Sequence, residues 1–344
     1  MNNIKKIGLS ALAGSLAMVS ANAVDYTVSG GMIATYTTAK APNLADADGK
    51  GLGSATDLAF NASGELDNGF TVDYFMGVNT DTTLTNSSSQ MTVGMGSLGT
   101  IQYNNKFGSK SNGIDDITPH AYNETWDGLN TGVAGDNPSF FGSSSNGGSV
   151  DYRIPAQEYM GLTINASVTY DPQAGVAAAS KGAINSGNAG SSTAYTLQLA
   201  HESGLELGGG VEDIDDTQGL ATSSDTNRVT AYAKYSMGGL TVAYQEAYQD
   251  STNSPGVIGQ DLHAELFGIA YTMGNTTVSY AESSIDKHDA STTTSTVDVE
   301  NESMQIAYVM GAMTISAAMS ETSGSGHVAD ANYDQNTLAV SFAF

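Results

Sequence analysis

The stretch Tyr235-Ser236-Met237-Gly238-Gly239-Leu240-Thr241-Val242 recurs twice towards the C-terminus, as Tyr271–Val278 and Tyr308–Ile315. The three tyrosines are 36 and 37 residues apart. Each copy has the pattern of a strand end, a tight turn containing glycine, and the start of a strand with alternating apolar residues. Strands of this kind, joined by short turns at one end and by longer polar loops at the other, are typical of a transmembrane β-barrel.

The N-terminus has the three parts of a secretory signal. They are the positively charged Lys5 and Lys6, the short apolar core Ile7 to Val19, and the cleavage motif Ala21-Asn22-Ala23. The apolar core is shorter than the roughly 20 residues that a membrane-spanning helix needs. We therefore expect residues 1–23 to be a signal peptide and residues 24–344 to form one exported domain.

The chain is strongly acidic and has no cysteine. Its formal net charge is −25, from 36 acidic and 11 basic residues. This charge argues against nucleic acid as a partner and favours the attraction of cations. An exported chain without disulfides must be stabilised by burial and strand pairing, and a closed barrel provides both while leaving no free sheet edge.

Sixteen segments show the alternation of β-strands, and this count is good to within about two strands. They are 25–37, 56–66, 70–79, 90–96, 98–105, 149–154, 162–170, 193–201, 205–212, 228–237, 240–249, 262–273, 276–284, 299–310, 313–321 and 333–344. Seven connections are short, near Asn68, Leu98, Gln157, Ser203, Gly238, Gly274 and Ala312, and the others are longer and polar. This asymmetry predicts an all-β, closed antiparallel barrel with both termini at the short-turn end.

The two faces of the predicted strands have different compositions. Opposite the apolar stripe the residues are small and polar, and we expect them to line the lumen, where Phe75 and Tyr232 are the clear aromatic exceptions. Tyr235, Tyr271 and Tyr308 precede short turns and suit an aromatic girdle at the membrane interface.

The last strand ends Leu338-Ala339-Val340-Ser341-Phe342-Ala343-Phe344. Alternating apolar residues that end in Phe resemble the assembly signal of bacterial outer-membrane proteins. With the strand count, the chain resembles the general, sixteen-stranded Gram-negative porins. The resemblance implies a homotrimer in the outer membrane, in contact with lipid and lipopolysaccharide, whose long third loop folds into the lumen. The third long connection here, about 106–148, is the longest.

The candidate pore residues are five carboxylates and five basic side chains. The acids, which resemble the acidic constriction segment of the family, are Asp115, Asp116, Glu124, Asp127 and Asp136. The bases, which lie near the expected constriction, are Lys106, Lys110, Arg153, Arg228 and Lys234. In the family a basic cluster faces the acids, but this chain has only two arginines. A ring of carboxylates concentrates cations, so we expect a cation preference. Alternatively, single acids cap turns and single bases form structural ion pairs.

Carboxylates on the outer face and in a loop are weaker candidates for sites that bind divalent cations. Asp298, Glu300 and Glu302 share the outward phase and could bind divalent cations that bridge to lipid headgroups or to a neighbouring subunit. A second acidic run is a weak candidate for structural Ca²⁺, although it lacks the pattern of an EF-hand loop. Its members are Glu212, Asp213, Asp215 and Asp216.

The leading hypothesis is an outer-membrane porin, a passive diffusion channel for small hydrophilic solutes and ions. A substrate-specific channel stays open within the same class. Two hypotheses from different classes are a secreted acidic β-rich adhesin and an outer-membrane barrel enzyme. The sequence contains no recognisable cofactor motif and no nucleophile beside the closest local pair, His263 and Glu265, so we expect no enzyme activity and no cofactor.

Overall fold

The computed structural model describes residues 25–41, 48–79, 85–106, 108–127, 136–142, 148–173, 190–215, 225–251, 260–289 and 297–344. The predicted signal peptide lies outside these residues. No helix in the described ranges has the length and apolar character to cross a membrane.

The described residues form one antiparallel sheet in which strands pair with their neighbours along the chain, except that β6 skips β7 and pairs with β8. Its strands are β1 Asp25–Lys40, β2 Gly49–Glu65, β3 Thr71–Asn79, β4 Thr85–Gly94, β5 Thr100–Asn105, β6 Gly148–Arg153, β7 Gln157–Tyr159, β8 Leu162–Asp171, β9 Ser192–His201, β10 Leu205–Ile214, β11 Thr226–Met237, β12 Leu240–Ser251, β13 Gln260–Met273, β14 Thr276–Asp289, β15 Val299–Met310, β16 Met313–Ser323 and β17 Tyr333–Ala343. Short 3₁₀ turns occupy Gly96–Leu98, Asn112–Ile114 and Ser325–His327.

Two of these strands occupy one position in the sheet. Both β6 and β7 pair with β8, and they are separated by Pro155, which has no N–H to donate to a ladder. The described strands therefore fill sixteen barrel positions, which confirms the predicted barrel and its strand number.

The first and last strands close the barrel. Met32 lies opposite Phe342 and Tyr36 lies opposite Leu338 in the β1–β17 ladder. The ladder continues to the last residue, because Phe344 N–H donates to Gly30 O at 2.9 Å and Gly30 N–H donates to Phe344 O at 2.8 Å. The sheet consequently has no unpaired edge at this seam.

The recurring sequence signature forms three tight turns at one end of the barrel. Gly238, Gly274 and Gly311 have φ values of 63°, 61° and 63°, a conformation that glycine adopts without strain. One turn differs from the prediction: the short connection expected near Gln157 lies instead at Met160 and Gly161, because β7 extends the chain through Gln157. We call this end of the barrel, which also carries Asp25 and Phe344, the short-turn end, and the opposite one the outer end.

The barrel is apolar outside and polar inside. Large apolar side chains are exposed on its outer face, among them Val28, Met32, Tyr74, Ile306, Leu338 and Phe342. Buried polar side chains line its inner face, among them Gln102, Asn104, Asp151, Gln245, Asn301 and Gln305. Tyr235, Tyr271 and Tyr308 are exposed next to the short turns, as predicted for a girdle. This distribution is the reverse of that in a water-soluble protein and suits a surface that contacts lipid.

Several strands continue beyond the apolar band towards the outer end. There the outer face carries carboxylates that lie directly opposite one another, as Glu282 does with Glu302 and Glu302 with Glu321. Glu300 and Glu302 face outward, as their phase predicted. The outer face thus changes from apolar to acidic where strands leave the span that lipid tails would cover.

Candidate pore and constriction loop

The segment between β5 and β6 lies against the inner face of the barrel. Two parts of it are described, an outgoing limb of residues 108–127 and a returning limb of residues 136–142. The outgoing limb begins beside β5 and β6, where Gln102 Nε2 donates to Gly108 O at 2.8 Å and Lys110 N–H donates to Asp151 Oδ2 at 3.0 Å. Because Gln102 and Asp151 point inward, the limb starts inside the barrel.

Side chains of the barrel wall then accept hydrogen bonds from the backbone N–H groups of the outgoing limb. Ile117 N–H donates to Gln245 Oε1 at 3.0 Å, and Ala121 N–H donates to Ser279 Oγ at 2.8 Å. Tyr122 N–H donates to Gln305 Oε1 at 2.7 Å. The limb therefore crosses from β5 to β15 along the wall, and its irregular backbone is paired with side chains instead of a neighbouring strand.

Two apolar clusters hold the loop to the same wall. In the first, Ile114 and Phe141 of the loop are buried against Tyr232 of β11. In the second, Phe140 is buried against side chains of β12 to β15, with Trp126 packed beside it. The wall members of the second cluster are Ala247, Ala264, Leu266, Ile285 and Val299. Tyr232 faces inward as predicted, but the loop covers it, so it presents no aromatic surface to solutes.

Two cavities lie between the loop and the opposite part of the wall. The lower one, towards the short-turn end, is about 850 Å³ and is lined by residues that include Asp25, Asp73, Phe75, Lys110, Asp115 and Arg153. The upper one is about 410 Å³ and is lined mainly by hydroxyl and amide groups, among them Thr35, Thr37, Asn123, Gln305, Gln335 and Thr337. Asp127 and Lys50 are its charged lining residues.

Four of the five predicted acids are grouped on the outgoing limb. Asp115 lines the lower cavity and Asp127 the upper one. Burial is the main reason that the pKa of Asp115 rises to about 6, with a further contribution from the charge of Asp116. Burial also raises the pKa of Glu124 to about 7, assisted by the charges of Asp116, Asp115 and Asp127. These four carboxylates therefore influence one another and act as one acidic group.

Asp116 is the least solvated of the four. Its Oδ1 accepts hydrogen bonds from Thr118 N–H and Thr118 Oγ1–H, both at 2.7 Å. Burial raises its pKa in spite of these two bonds and of the nearby His120. The carboxylate therefore orients the limb as well as adding charge.

The fifth predicted acid, Asp136, lies apart from this group. It is 6% exposed, and its carboxylate accepts hydrogen bonds from the turn between β16 and β17. We leave it out of the acidic group because its charge is turned away from both cavities.

The basic candidates are mostly engaged with the wall. Arg153 contacts Asp151 at 3.1 Å, Arg228 contacts Glu212 at 3.4 Å, and Lys234 contacts Glu206 at 3.0 Å. The side chain of Lys106 donates to Asn86 O. Lys110 and Arg153 line the lower cavity.

The weak calcium candidates do not form a site among the described residues. Glu212 faces inward and accepts Gly142 N–H at 2.9 Å, whereas Asp213, the next residue in β10, faces outward. Asp215 N–H donates to Ser191 O, and the Asp215 carboxylate accepts the Ser191 hydroxyl. Asp216 lies outside the described ranges. Neighbouring strand residues point to opposite faces, so Glu212 and Asp213 do not converge on one ion. No other metal-binding cluster occurs in the parts of the chain described.

A family model for Gram-negative porins matches residues 8–344. The chain belongs to the Gram-negative porin family. This porin is therefore an outer-membrane channel protein and not an enzyme. A comparison with curated protein sequences finds no match.

Solved structures share the fold of the porin at low identity. An anion-selective porin from Comamonas acidovorans is 12% identical with a TM-score of 0.67, over 94% of this chain and 100% of that chain. OmpT of Vibrio cholerae, expressed in the outer membrane, is 12% identical with a TM-score of 0.62, over 94% and 99%. A trimer form of the Vibrio cholerae OmpT is 10% identical with a TM-score of 0.63, over 94% and 100%.

Sequence reasoning missed the wall residues that hold the loop of this porin. Gln245 and Gln305 are the main examples, and both are nearly fully buried. Each is a long amide at an inward position whose inward neighbours on the strand are small, Ala243 and Ala247 around Gln245. A single large polar residue among small ones is the signal that points to a partner in the lumen.

Proposed function

We propose that this porin is a passive diffusion channel for small hydrophilic solutes and ions, with a preference for cations. The observation that carries the cation preference is that Asp115 and Asp127 line the two cavities, with Asp116 and Glu124 between them on the outgoing limb and close enough to interact electrostatically. Carboxylates along a narrow aqueous passage attract cations and repel anions.

The basic side chains support the same proposal. Arg153, Arg228 and Lys234 each contact a carboxylate of the wall, which cancels much of their field. Opposite the limb, the upper cavity presents mainly hydroxyl and amide groups. The acids that line the two cavities, Asp25, Asp73, Asp115 and Asp127, outnumber the lysines that do so, Lys50 and Lys110, so the net field in the passage is negative. The relative from Comamonas acidovorans is described as anion-selective, so the preference of this porin must be measured directly.

We also propose that the porin assembles as a homotrimer through the outer faces of its first and last strands. The outer face of β1 is apolar at Val28, Met32 and Tyr36, whereas the outer faces of β14 to β16 carry facing carboxylates near the outer end. Burying a sector that is rich in carboxylates in a subunit contact is costly, so the apolar sector is the better contact surface. Light scattering of the detergent-solubilised porin would give the trimer mass, and a monomer mass would contradict this proposal.

Swelling of liposomes that contain the folded porin tests the channel and its preference together. We expect an uncharged small sugar to enter, and a small organic cation to enter faster than an anion of the same size. Replacing the four acids with amides (D115N, D116N, E124Q and D127N together) should bring the two charged solutes to similar rates. D67N, which neutralises an acid in a short turn, is the matched control and should behave like the wild type.

Two results would count against these proposals. Absence of swelling with folded wild-type porin would contradict the diffusion channel. Entry of the anion at an equal or higher rate than the cation would contradict the cation preference while leaving the channel in place.

A further inference from the structure

The returning limb of the loop is fastened to the outer end of the barrel by one buried carboxylate. Asp136 Oδ2 accepts the hydroxyl of Ser325 at 2.6 Å, and Asp136 Oδ1 accepts Gly326 N–H at 2.8 Å. Asn301 Nδ2 of β15 donates to the backbone carbonyl of Asp136 at 3.1 Å. Asp136 therefore joins the loop, the wall and the turn between β16 and β17.

That turn has the shape needed to receive a carboxylate. Gly324, Gly326 and His327 have φ values of 66°, 64° and 62°, and these left-handed residues place the Gly326 N–H towards Asp136. The His327 Nδ1–H donates to Val297 O at 3.0 Å, which ties the turn to the residues before β15. His327 adopts its left-handed φ at an energetic cost because it is not glycine.

Asn301, the wall residue that bonds to the Asp136 backbone, is itself held by hydrogen bonds. Asn301 is 1% exposed, accepts the Thr322 hydroxyl at 2.7 Å and lies 3.2 Å from Ser283 Oγ. No basic side chain within the described ranges forms an ion pair with Asp136. Its buried charge is balanced by hydrogen bonds, and a buried carboxylate is costly when such bonds are lost.

We propose that Asp136 is a positioning residue of the pore, and that the turn Ser325–His327 holds the constriction loop in place from the outer end. Trp126, next to Asp127 of the upper cavity, packs beside Phe140, which lies four residues after Asp136. The fastening at Asp136, which we call the clasp, therefore limits how far the outgoing limb can move into or out of the passage. The clasp acts on the width and steadiness of the pore, and it adds nothing to the charge that solutes meet. This inference rests on the proposed channel function.

Single-channel recording in planar bilayers separates a role of Asp136 in positioning the loop from a role of its charge in ion selectivity. D136A and S325A should each raise the frequency of brief closures and the open-channel noise about tenfold, because each removes a hydrogen bond to a charged group. Neither should change the reversal potential in a salt gradient. S325A removes one hydroxyl only, so it tests the clasp even if D136A does not fold.

Matched controls are available in the same chain. D127A removes a carboxylate of the same loop and should lower the cation preference with wild-type noise. S323A removes a half-buried serine hydroxyl two residues before Ser325, which donates to Glu300 of β15 and not to the loop, and should behave like the wild type.

Two results would overturn the clasp. One is wild-type noise in both D136A and S325A when both are folded. The other is a shift of the reversal potential by D136A as large as that caused by D127A, since Asp136 would then face the passage.

Amide hydrogen exchange tests the clasp without any need for conduction. Residues 136–142 should exchange faster in S325A than in S323A, and equal exchange would overturn the clasp. A porin that fails to conduct but shows this difference would contradict the proposed function alone.

Discussion

Gln305 Oε1 accepts the backbone N–H groups of both Tyr122 and Asn123, at 2.7 Å and 3.2 Å. Its side-chain amide nitrogen donates to the carbonyl of Asn123. One amide on β15 thus satisfies three backbone groups at the part of the outgoing limb that lines the upper cavity. Because an irregular segment has no neighbouring strand to pair with, its position depends on such side chains.

Replacing Gln305 with Leu should release this part of the limb. Loss of these hydrogen bonds should destabilise the bound position of the loop by about 1–3 kcal/mol. We therefore expect larger fluctuations of single-channel current and faster exchange of the Tyr122 and Asn123 amides. Q335L is the matched control, because Gln335 bonds to Tyr333 and Thr337 of its own strand and not to the loop. Equal fluctuations in Q305L and Q335L would show that Gln305 does not position the loop.

The cation preference should depend on pH. Folded pKa values of about 6 for Asp115 and about 7 for Glu124 mean that both groups gain a proton as the solution is acidified from about pH 8 to about pH 5. The negative charge of the limb falls, so the reversal potential should move towards zero. D115N/E124Q should show a much flatter dependence, and a wild-type porin without any dependence would contradict the assignment.

The same pKa values set the sign of a stability effect. Both folded pKa values lie above the ordinary values of 3.8 and 4.5, so the folded loop binds more protons than the unfolded chain. The stabilising contribution of protonation is complete below the ordinary values and is lost as the pH rises through about 6 and about 7. Hydrogen exchange of the outgoing limb should therefore be slower at about pH 5 than at about pH 8, after correction for the intrinsic pH dependence of exchange.

Two neighbouring positions on β17, one facing outward and one facing inward, should differ in how much an added lysine destabilises the porin. Leu338 faces outward and is 50% exposed, whereas Thr337 faces inward, with its Oγ1 3.3 Å from Thr37 Oγ1. L338K should destabilise the porin in lipid vesicles by about 2–4 kcal/mol, because a lysine near the bilayer midplane is costly. T337K should cost much less and should weaken the cation preference by adding a positive charge to the upper cavity. Equal destabilisation in urea unfolding would contradict the assignment of the two faces.

The sequence predicts the part of the fold that repeats. The turns at Gly238, Gly274 and Gly311 lie where the sequence predicts them, because glycine and the alternating pattern coincide there. The predicted strands are too short at the outer end: β14 runs to Asp289 although its alternation is lost after Ser284. Apolar alternation marks only residues that face lipid, and beyond the lipid span the outer face becomes charged.

The contacts of the loop could not be predicted, because they join distant parts of the chain. Asp136 and Gly326 are 190 residues apart in sequence, and no local pattern relates them. Ion pairs such as Glu206 with Lys234 depend on the register of β10 against β11. The long connection between these strands hides that register, so the sequence indicates the inward phase of Lys234 but not its partner.

The most direct measurement is the reversal potential of purified wild-type porin in a planar bilayer under a KCl gradient near pH 8. We expect stepwise conductance and a reversal potential at which the dilute side is positive, since K⁺ crosses more readily than Cl⁻ past Asp115, Asp116, Glu124 and Asp127. The opposite sign, with the dilute side negative, would contradict an acidic passage. Absence of conductance steps from folded porin would contradict the diffusion channel itself.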